Sequence, residues 1–475
     1  MATHLVWLRN DLRLHDNTAL YAACRDPNAQ VLALFIATPG QWRQHAMSPR
    51  QADYIWHSLQ ALQQALAARG IALHYHQCED FHASVAYLQT FCQQHHVSAL
   101  FYNYQYELNE RERDAAAEKA LDRMKIEVQG FDDSVLLAPG SIRTGNGEMY
   151  KVFTPFSKAF LKRLRDHTPE CFPAPGKRTP QALKHTPALH PFDYPREAFD
   201  PALFPVGEEA VLKQLRRFCH QPVADYSQQR DLPAREGTSR LSVCLAVGTL
   251  SPRQCLNRLL AEHPHALGGE GGAAVWLNEL IWREFYRHLL VAWPALCRHQ
   301  PFVDWTDGVA WESDKTPLEA WQQGKTGYPI VDAAMRQLNA TGWMHNRLRM
   351  VTASFLVKDL LLDWRLGERY FMSHLIDGDL AANNGGWQWS ASTGTDAAPW
   401  FRIFNPTTQG ERFDQHGEFI RRWLPELHEV PDRDIHAPQA WAKKNGKTLD
   451  YPPPIVEHKE ARKRTLAAFE AARKR

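Results

Sequence analysis

A chain of 475 residues, 44% hydrophobic and 23% charged, has room for two or three domains with full cores and is neither a disordered chain nor a fibre. Its formal charge of +2 is too close to neutral to signal nucleic acid by itself, so any such surface must be a local patch. Eight scattered cysteines without a CxxC pair exclude a zinc centre or a disulfide framework and predict reduced thiols.

The start, MATHLVWLRN, carries no basic leader with a long apolar run, and no later stretch is apolar enough to span a bilayer, so a cytoplasmic protein is expected. Over residues 1–131, β-rich runs at His4-Leu8, Val31-Thr38, Ile71-Gln77, Leu100-Tyr106 and Ile126-Phe131 alternate with helical patterns. That alternation predicts an α/β domain with a doubly wound parallel sheet of five strands. Ser48 as N-cap, Pro49 at the first helical position and an apolar stripe of Ile55, Leu59, Leu62 and Leu66 define one helix, which Gly70 ends. No GxGxxG follows the first strand, so this domain need not hold the main cofactor, although a ligand could sit at the strand ends beside Asn109 and Glu110.

Residues 132–206 read as a connector, because nine of the 30 prolines fall between Asp166 and Val206. From 207 to 475 nearly everything reads as helix, which predicts a larger all-α domain: Glu208-His220, the segment after Ser251-Pro252, Val275-Ala292, Ile330-Leu338 and a charged helix after Val456. Within it, GTSRLSVCLAVGTLSPRQ brings hydroxyls to the start of a helix, where Thr238, Ser239 and Ser242 suit either simple capping or a pyrophosphate. In LNELIWREFYRHLL, Glu279, Trp282 and Tyr286 share one helical face beside Arg283, a carboxylate next to an aromatic platform that suits a heterocycle.

The stretch Thr341–Pro406 carries aromatic, amide and carboxylate groups where an ordinary helical core has Leu and Ala. Met350, Ser354, Val357, Leu360 and Leu361 recur at helical spacing, with Asn346, Arg347 and Arg349 at the start. The helix is expected to stop at Asp377-Gly378-Asp379, and the paired glycines of the following Asn383-Asn384-Gly385-Gly386-Trp387 to turn the backbone tightly around a bound planar group. Core packing is the competing reading for any one of 16 tryptophans. Asp377-Gly378-Asp379 lacks the further carboxylates and closing Glu of a calcium loop, so no metal is expected.

Four segments together, VWLRNDLRLHDN, TSRLSVCLAVGTLSPRQ, WREFYRH and DGDLAANNGGWQW, supported by GYPIVDAAMRQL and YPPPIVEHKEAR, resemble the photolyase and cryptochrome family, in particular its bacterial class I cyclobutane pyrimidine dimer photolyases. The resemblance runs over almost the whole chain. It implies an α/β antenna domain and a helical domain that holds reduced FAD without a covalent bond. It also implies a light-driven lyase, in which an electron from excited flavin splits a pyrimidine dimer flipped out of single- or double-stranded DNA. A monomer is expected.

By that resemblance Tyr226, the segment Thr238, Ser239, Arg240, Leu241 and Ser242, together with Arg349, Asp377, Gly378, Asp379 and Asn383, hold FAD. Asp377 is expected to pair with Arg349, and Asn383 to face the flavin nitrogen that changes protonation with redox state. Glu279 is the implied hydrogen-bonding carboxylate to the dimer, Trp282 and Trp389 the walls of its pocket, and Met350 its neighbour. Arg230, Arg283, Tyr286, Asn346 and Arg347 complete the implied DNA contacts. Trp387, Trp364 and Trp311 match the family's electron relay. His45, Asn109, Glu110 and Cys297 match a site for a methenyltetrahydrofolate antenna, although Arg298 stands where the pattern has Lys.

The alternatives are a cryptochrome-type blue-light receptor, a six-four photoproduct enzyme and a flavoprotein oxidoreductase with no DNA role. Asn383 in place of Asp or Cys and the short charged end disfavour the first. TGWMHNRLRM, with the single His345 where a histidine pair is expected, disfavours the second, and Trp282 with Trp389 the third.

Overall fold

The structure, a computed structural model, describes residues 2–178 and 188–474; part of the proline-rich connector, 179–187, lies outside the described residues. By contacts the chain divides into two compact units. One comprises Met1–Ala224, Ser239–Pro294 and Ile376–Asp379, and the other Asp225–Thr238, Ala295–Leu375 and Leu380–Arg475. The helices Glu208–His220, Pro252–Glu262 and Gly271–Ala292, which the composition groups with an all-α domain, thus fall in the unit that holds the sheet.

Five parallel strands, β1 Thr3–Leu8, β2 Gln30–Ala37, β3 Ala72–Gln77, β4 Ala99–Asn103 and β5 Glu127–Phe131, pair in the order β3-β2-β1-β4-β5. Register is continuous, with Val6 opposite Ala33 on one side and Phe101 on the other. The strands read as unbroken apolar runs because helices cover both faces, as a parallel sheet requires. Leu5, Trp7, Leu34, Leu100 and Tyr102 join Leu88, Phe91, Ala117 and Leu121 of the helices Phe81–Gln94 and Leu108–Asp122 in one core. Ser48 caps the Pro49–Ala67 helix through Gln51 N as its sequence predicts.

At β1 the strand order reverses, the usual place for a ligand in an open α/β sheet. Here the chain fills that crevice itself. Asn103 at the end of β4 donates to Asp11 Oδ2 (2.7 Å) and Asn17 Oδ1 (2.9 Å), and Arg9 pairs with Asp114 at 3.0 Å. The charged residues of VWLRNDLRLHDN are therefore interior. Gly248, at φ 77°, lets the backbone pass so close to Asn10 that an added Cβ would lie 1.9 Å from its carbonyl oxygen.

In the second unit, the helices Pro329–Thr341, Asn346–Ser354, Trp364–His374, Leu380–Ala391 and Glu418–Trp423 surround a core centred on Trp321, whose Nε1 donates to Thr352 O at 3.1 Å. Two expectations are corrected here. Residues 380–391 form a helix through Gly385 and Gly386 instead of a tight turn. Two helical glycines cost about 1 kcal/mol each, and the burial of Ala381, Asn384, Trp387, Gln388 and Ala391 offsets that. Trp387 is seated on Gly367, where any Cβ would meet the indole at 2.1 Å. Leu360 and Leu361 also fall outside the helix. Phe355–Asp359 widens into a π-turn, and Leu361 takes φ 54°.

Among the described residues no helix is long and apolar enough to cross a membrane, and no group of His, Cys, Asp or Glu is placed to hold a metal. Among the described residues no cysteine forms a disulfide.

Candidate functional site

The Gly271–Ala292 helix places Glu279, Trp282 and Tyr286 one turn apart on one face, all partly exposed. Trp282 stacks on Phe153 with ring centres 3.5 Å apart and planes 4° from parallel, and Tyr286 lies 5.6 Å away. The stack fixes the plane of the indole. A carboxylate beside a rigid aromatic wall can accept a hydrogen bond from, and pack on, a flat heterocycle.

Arg283, on the same helix, is corrected from a DNA contact to an internal tie. Its guanidinium donates to Ser134 O at 2.6 Å and Leu245 O at 3.4 Å, and Glu284 lies 3.6 Å off. Burial, and then the neighbouring Arg287, bring it down to about 10. A side chain held this way has no reach toward a phosphate.

Within the first unit the charged residues expected at two different ligands form one cluster. Arg287 donates to Asp379, and burial followed by the charges of Glu110 and Asp379 pushes Glu107 up to about 7. Glu110, raised by burial, stands 3.5 Å from His45, whose Nε2 is 3.0 Å from Asn109 Nδ2 and 2.9 Å from Gln41 Nε2. His45, Asn109 and Glu110 thus lie side by side in this cluster. Cys297, partly buried, belongs to the second unit, on the turn Pro294–Arg298. Gly378 is anchored through its carbonyl, which accepts from Gln51 Nε2 at 2.7 Å.

Ser239 to Ser242 also belong to the first unit, with Thr238 at the end of a second-unit segment. The helix Ser242–Val247 has Leu241 as N-cap, and no side chain caps it. Simple capping by Ser or Thr therefore fails here. Arg240 takes φ 52°, and the Ser242 hydroxyl is exposed at the first helical position. The donor set, hydroxyls and main-chain N–H groups without a carboxylate among them, fits the phosphates of FAD.

In the second unit Asn383 donates to Glu368 O at 2.9 Å, which fixes an amide that does not ionise. Beneath it runs a chain absent from the sequence expectations. Asn384 Nδ2 donates to Glu368 Oε1 (2.9 Å), and Glu368 Oε2 is 2.7 Å from His299 Nδ1. Gln388 joins Asn384 to Gln300 O and Phe302 N. The hydrogen bond that Glu368 accepts raises His299, against its partial burial. No local signal marks Glu368, since its partners lie 69 residues away in one direction and 16 in the other.

Arg349, also in this unit, donates to Met344 O at 2.8 Å; Asp377, of the first unit, is buried. Tyr226 is buried under the Arg230 guanidinium, 5.5 Å from the ring centre. Arg347 pairs with Asp231 at 3.0 Å, stacks on Phe413 and approaches Met350 Sδ at 3.9 Å; Asn346 is exposed, and Trp389 partly so. Of the three tryptophans expected to form a relay, Trp387 and Trp364 sit inside one core while Trp311 packs at its edge, partly exposed.

Two family models match the chain, DNA photolyase over residues 4–175 and the FAD binding domain of DNA photolyase over 276–471. The deoxyribodipyrimidine photo-lyases of Salmonella typhimurium and Escherichia coli are each 66% identical over 474 residues, covering all of both chains. A solved class III photolyase of Agrobacterium tumefaciens is 34% identical with a TM-score of 0.87, covering 100% of this chain and 98% of its own. With the parallel sheet, the helical flavin motifs and two thirds of its residues shared from end to end, the chain belongs to the DNA photolyase family.

Proposed function

We infer that this chain is a deoxyribodipyrimidine photolyase, a flavoprotein that repairs cyclobutane pyrimidine dimers in DNA with light. The observation that carries the reading is the Glu279, Trp282 and Tyr286 face with its indole locked by Phe153, in a chain of this family. When bound, reduced FAD supplies on excitation the electron that splits the dimer and takes it back.

The chain's own residues do the rest. Ser239, Ser242 and the open helix start hold phosphate oxygens, and Tyr226, Arg349, Asp377 and Asp379 hold the remaining parts of FAD. Asn383, tied to Glu368, presents an amide that stays neutral at any working pH. Trp282 and Trp389 wall the lesion pocket, offsetting the few kcal/mol that unstacking a damaged base costs. Glu279 accepts from the dimer, Met350 packs beside it, and Arg230, Asn346 and Arg347 bind the backbone of either single- or double-stranded DNA. His45, Asn109, Glu110 and Cys297 hold a folate antenna. Trp387, Trp364 and Trp311 relay electrons inward when the flavin is oxidised. The protein works as a cytoplasmic monomer.

Glu279→Gln tests the assignment. The contact matters most while the dimer carries extra charge, so the variant should retain FAD and lose severalfold in dimers repaired per absorbed photon. An unchanged yield would remove Glu279 from the lesion pocket, and a lost flavin would make it a cofactor residue.

A further inference from the structure

A cavity of about 530 Å³ opens between the second half of the Pro49–Ala67 helix, the loop after β1 and the start of the Glu208–His220 helix, all in the first unit. That size is ordinary for a small-molecule site, roughly 300–1,000 Å³. Ala61, Ala65 and Val206 line it where it meets solvent, since all three are partly exposed, whereas Leu12 and Leu62 are buried. No residue expected at the flavin, the lesion or the antenna takes part.

Its polar lining is unbalanced. Ser58 and Arg13, each 2% exposed, belong to the wall, and Ser58 Oγ and Arg13 Nε have no hydrogen-bond partner among the described residues. The other Arg13 nitrogens are committed, one to Gly248 O at 3.0 Å and one to Asp16 O and Asp133. A buried donor without a partner is costly, and an oxygen that accepts from it removes the cost.

The helix start adds donors to the same side. Gly207, at φ 88°, has no side chain to cap it, and the first main-chain bond runs from Val211 N to Gly207 O at 3.1 Å, so the N–H groups of Glu208, Glu209 and Ala210 precede that bond. A Cβ placed on Gly207 would stand 3.9 Å from that of Ala61, which sets the helix start against the cavity wall. Acceptors are scarcer. The Glu208 carboxylate already takes Leu14 N at 2.9 Å and His15 N at 2.8 Å, with His15 Nδ1 2.9 Å away. With Arg13 and Lys213 set against Glu208 and Glu209, the lining has no formal net charge.

We propose that this cavity binds a small neutral ring compound bearing a carbonyl oxygen, a lactam being the simplest, whose oxygen accepts from Ser58 Oγ while the ring packs on Leu12, Ala61 and Leu62. Arg13 Nε offers a second point of attachment. A carboxylate fits less well, because Glu208 and Glu209 already bring negative charge to the helix start. A plain hydrocarbon leaves the buried donors unpaired.

The probe is 2-quinolone, a two-ring lactam, with naphthalene and 2-naphthoate as its apolar and anionic counterparts, each titrated into the FAD-loaded protein in darkness by saturation-transfer NMR. The lactam should bind with a dissociation constant of about 1 mM or lower, and the other two at least roughly fivefold more weakly. Ser58→Ala should weaken the lactam roughly fivefold, and Ala61→Phe should abolish its binding by filling the space. Trp282→Ala should bind it like the parent, since the aromatic platform is a separate site. Absence of lactam binding, equal binding of naphthalene or 2-naphthoate, parent-like affinity in Ala61→Phe, or loss of binding in Trp282→Ala overturns the proposal. Should Ala61→Phe melt well below the parent, Ser58→Ala decides alone, because it removes one oxygen and leaves the wall in place: parent-like affinity there overturns the proposal.

Discussion

Trp311→Phe is expected to cut the rate of flavin photoreduction by an order of magnitude or more while leaving dimer repair intact once the flavin has been reduced chemically. The two processes separate because repair uses the reduced flavin directly, whereas photoreduction needs an unbroken run of oxidisable rings to the surface. Trp311 is the member of the proposed relay that reaches solvent, and Trp364 and Trp387 are buried behind it. Phenylalanine keeps most of the contact with Phe469, so the fold should lose roughly 1 kcal/mol or less. Photoreduction at the parent rate would dismiss the relay, and loss of FAD would make Trp311 a packing residue. The readouts are the flavin spectrum under blue light with a thiol, and repair after dithionite.

The second large effect concerns stability. Asp133→Asn should destabilise the protein by roughly 3–5 kcal/mol, because it takes the charge from a buried carboxylate that two buried guanidinium groups share. Arg13, Asp16, Asp133 and Arg253 are all buried, at 2%, 0%, 1% and 5% exposure. Arg253 donates to both oxygens of Asp16 at 3.0 Å and to Asp133 Oδ1 at 2.8 Å; Arg13 pairs with Asp133, and Thr18 adds two further donors to it. The cluster ties the loop after β1, the segment after β5 and the start of the Pro252–Glu262 helix.

Burial alone would raise the Asp133 carboxyl, but Arg13 and Arg253 outweigh it and hold the group at about 2. A folded value below the unfolded one contributes stability that is complete above about pH 4 and is lost as pH falls through about 2. The gap between parent and variant should therefore be widest near neutrality and close between about pH 4 and pH 2. Denaturant titrations of both proteins at several pH values measure it. A variant as stable as its parent at pH 7 would show that the cluster is replaceable.

Much of this was legible in the chain. Each of the five strands lies within a few residues of its sequence boundary, because a strand covered on both faces must be an apolar run between helices. The helix starts at Ser48 and Ser251 were equally plain, since capping is a local matter; Ser251 and Gln254 form a reciprocal pair. What escaped depends on partners far away in sequence. Arg283 looks like any exposed helical arginine until the carbonyls of Ser134 and Leu245 are seen to accept its hydrogen bonds. Gly385 and Gly386 suggest a turn until Trp387 is found anchored on Gly367. The hydroxyls of Thr238 to Ser242 carry the same local signal for a cap as for an anion, and only the uncapped start of the short helix separates the two. Glu368 gives no sign at all, for its partners are His299 and Asn384.

The most direct test of the function is repair of a defined oligonucleotide with one thymine dimer, using purified protein with chemically reduced FAD, under blue light and in darkness. The account predicts that intact thymines return in proportion to photons absorbed, only in the light, and with tighter binding to the damaged strand than to its undamaged copy. Dimers that persist under illumination of the reduced, FAD-loaded protein, or that disappear equally in the dark, would contradict it.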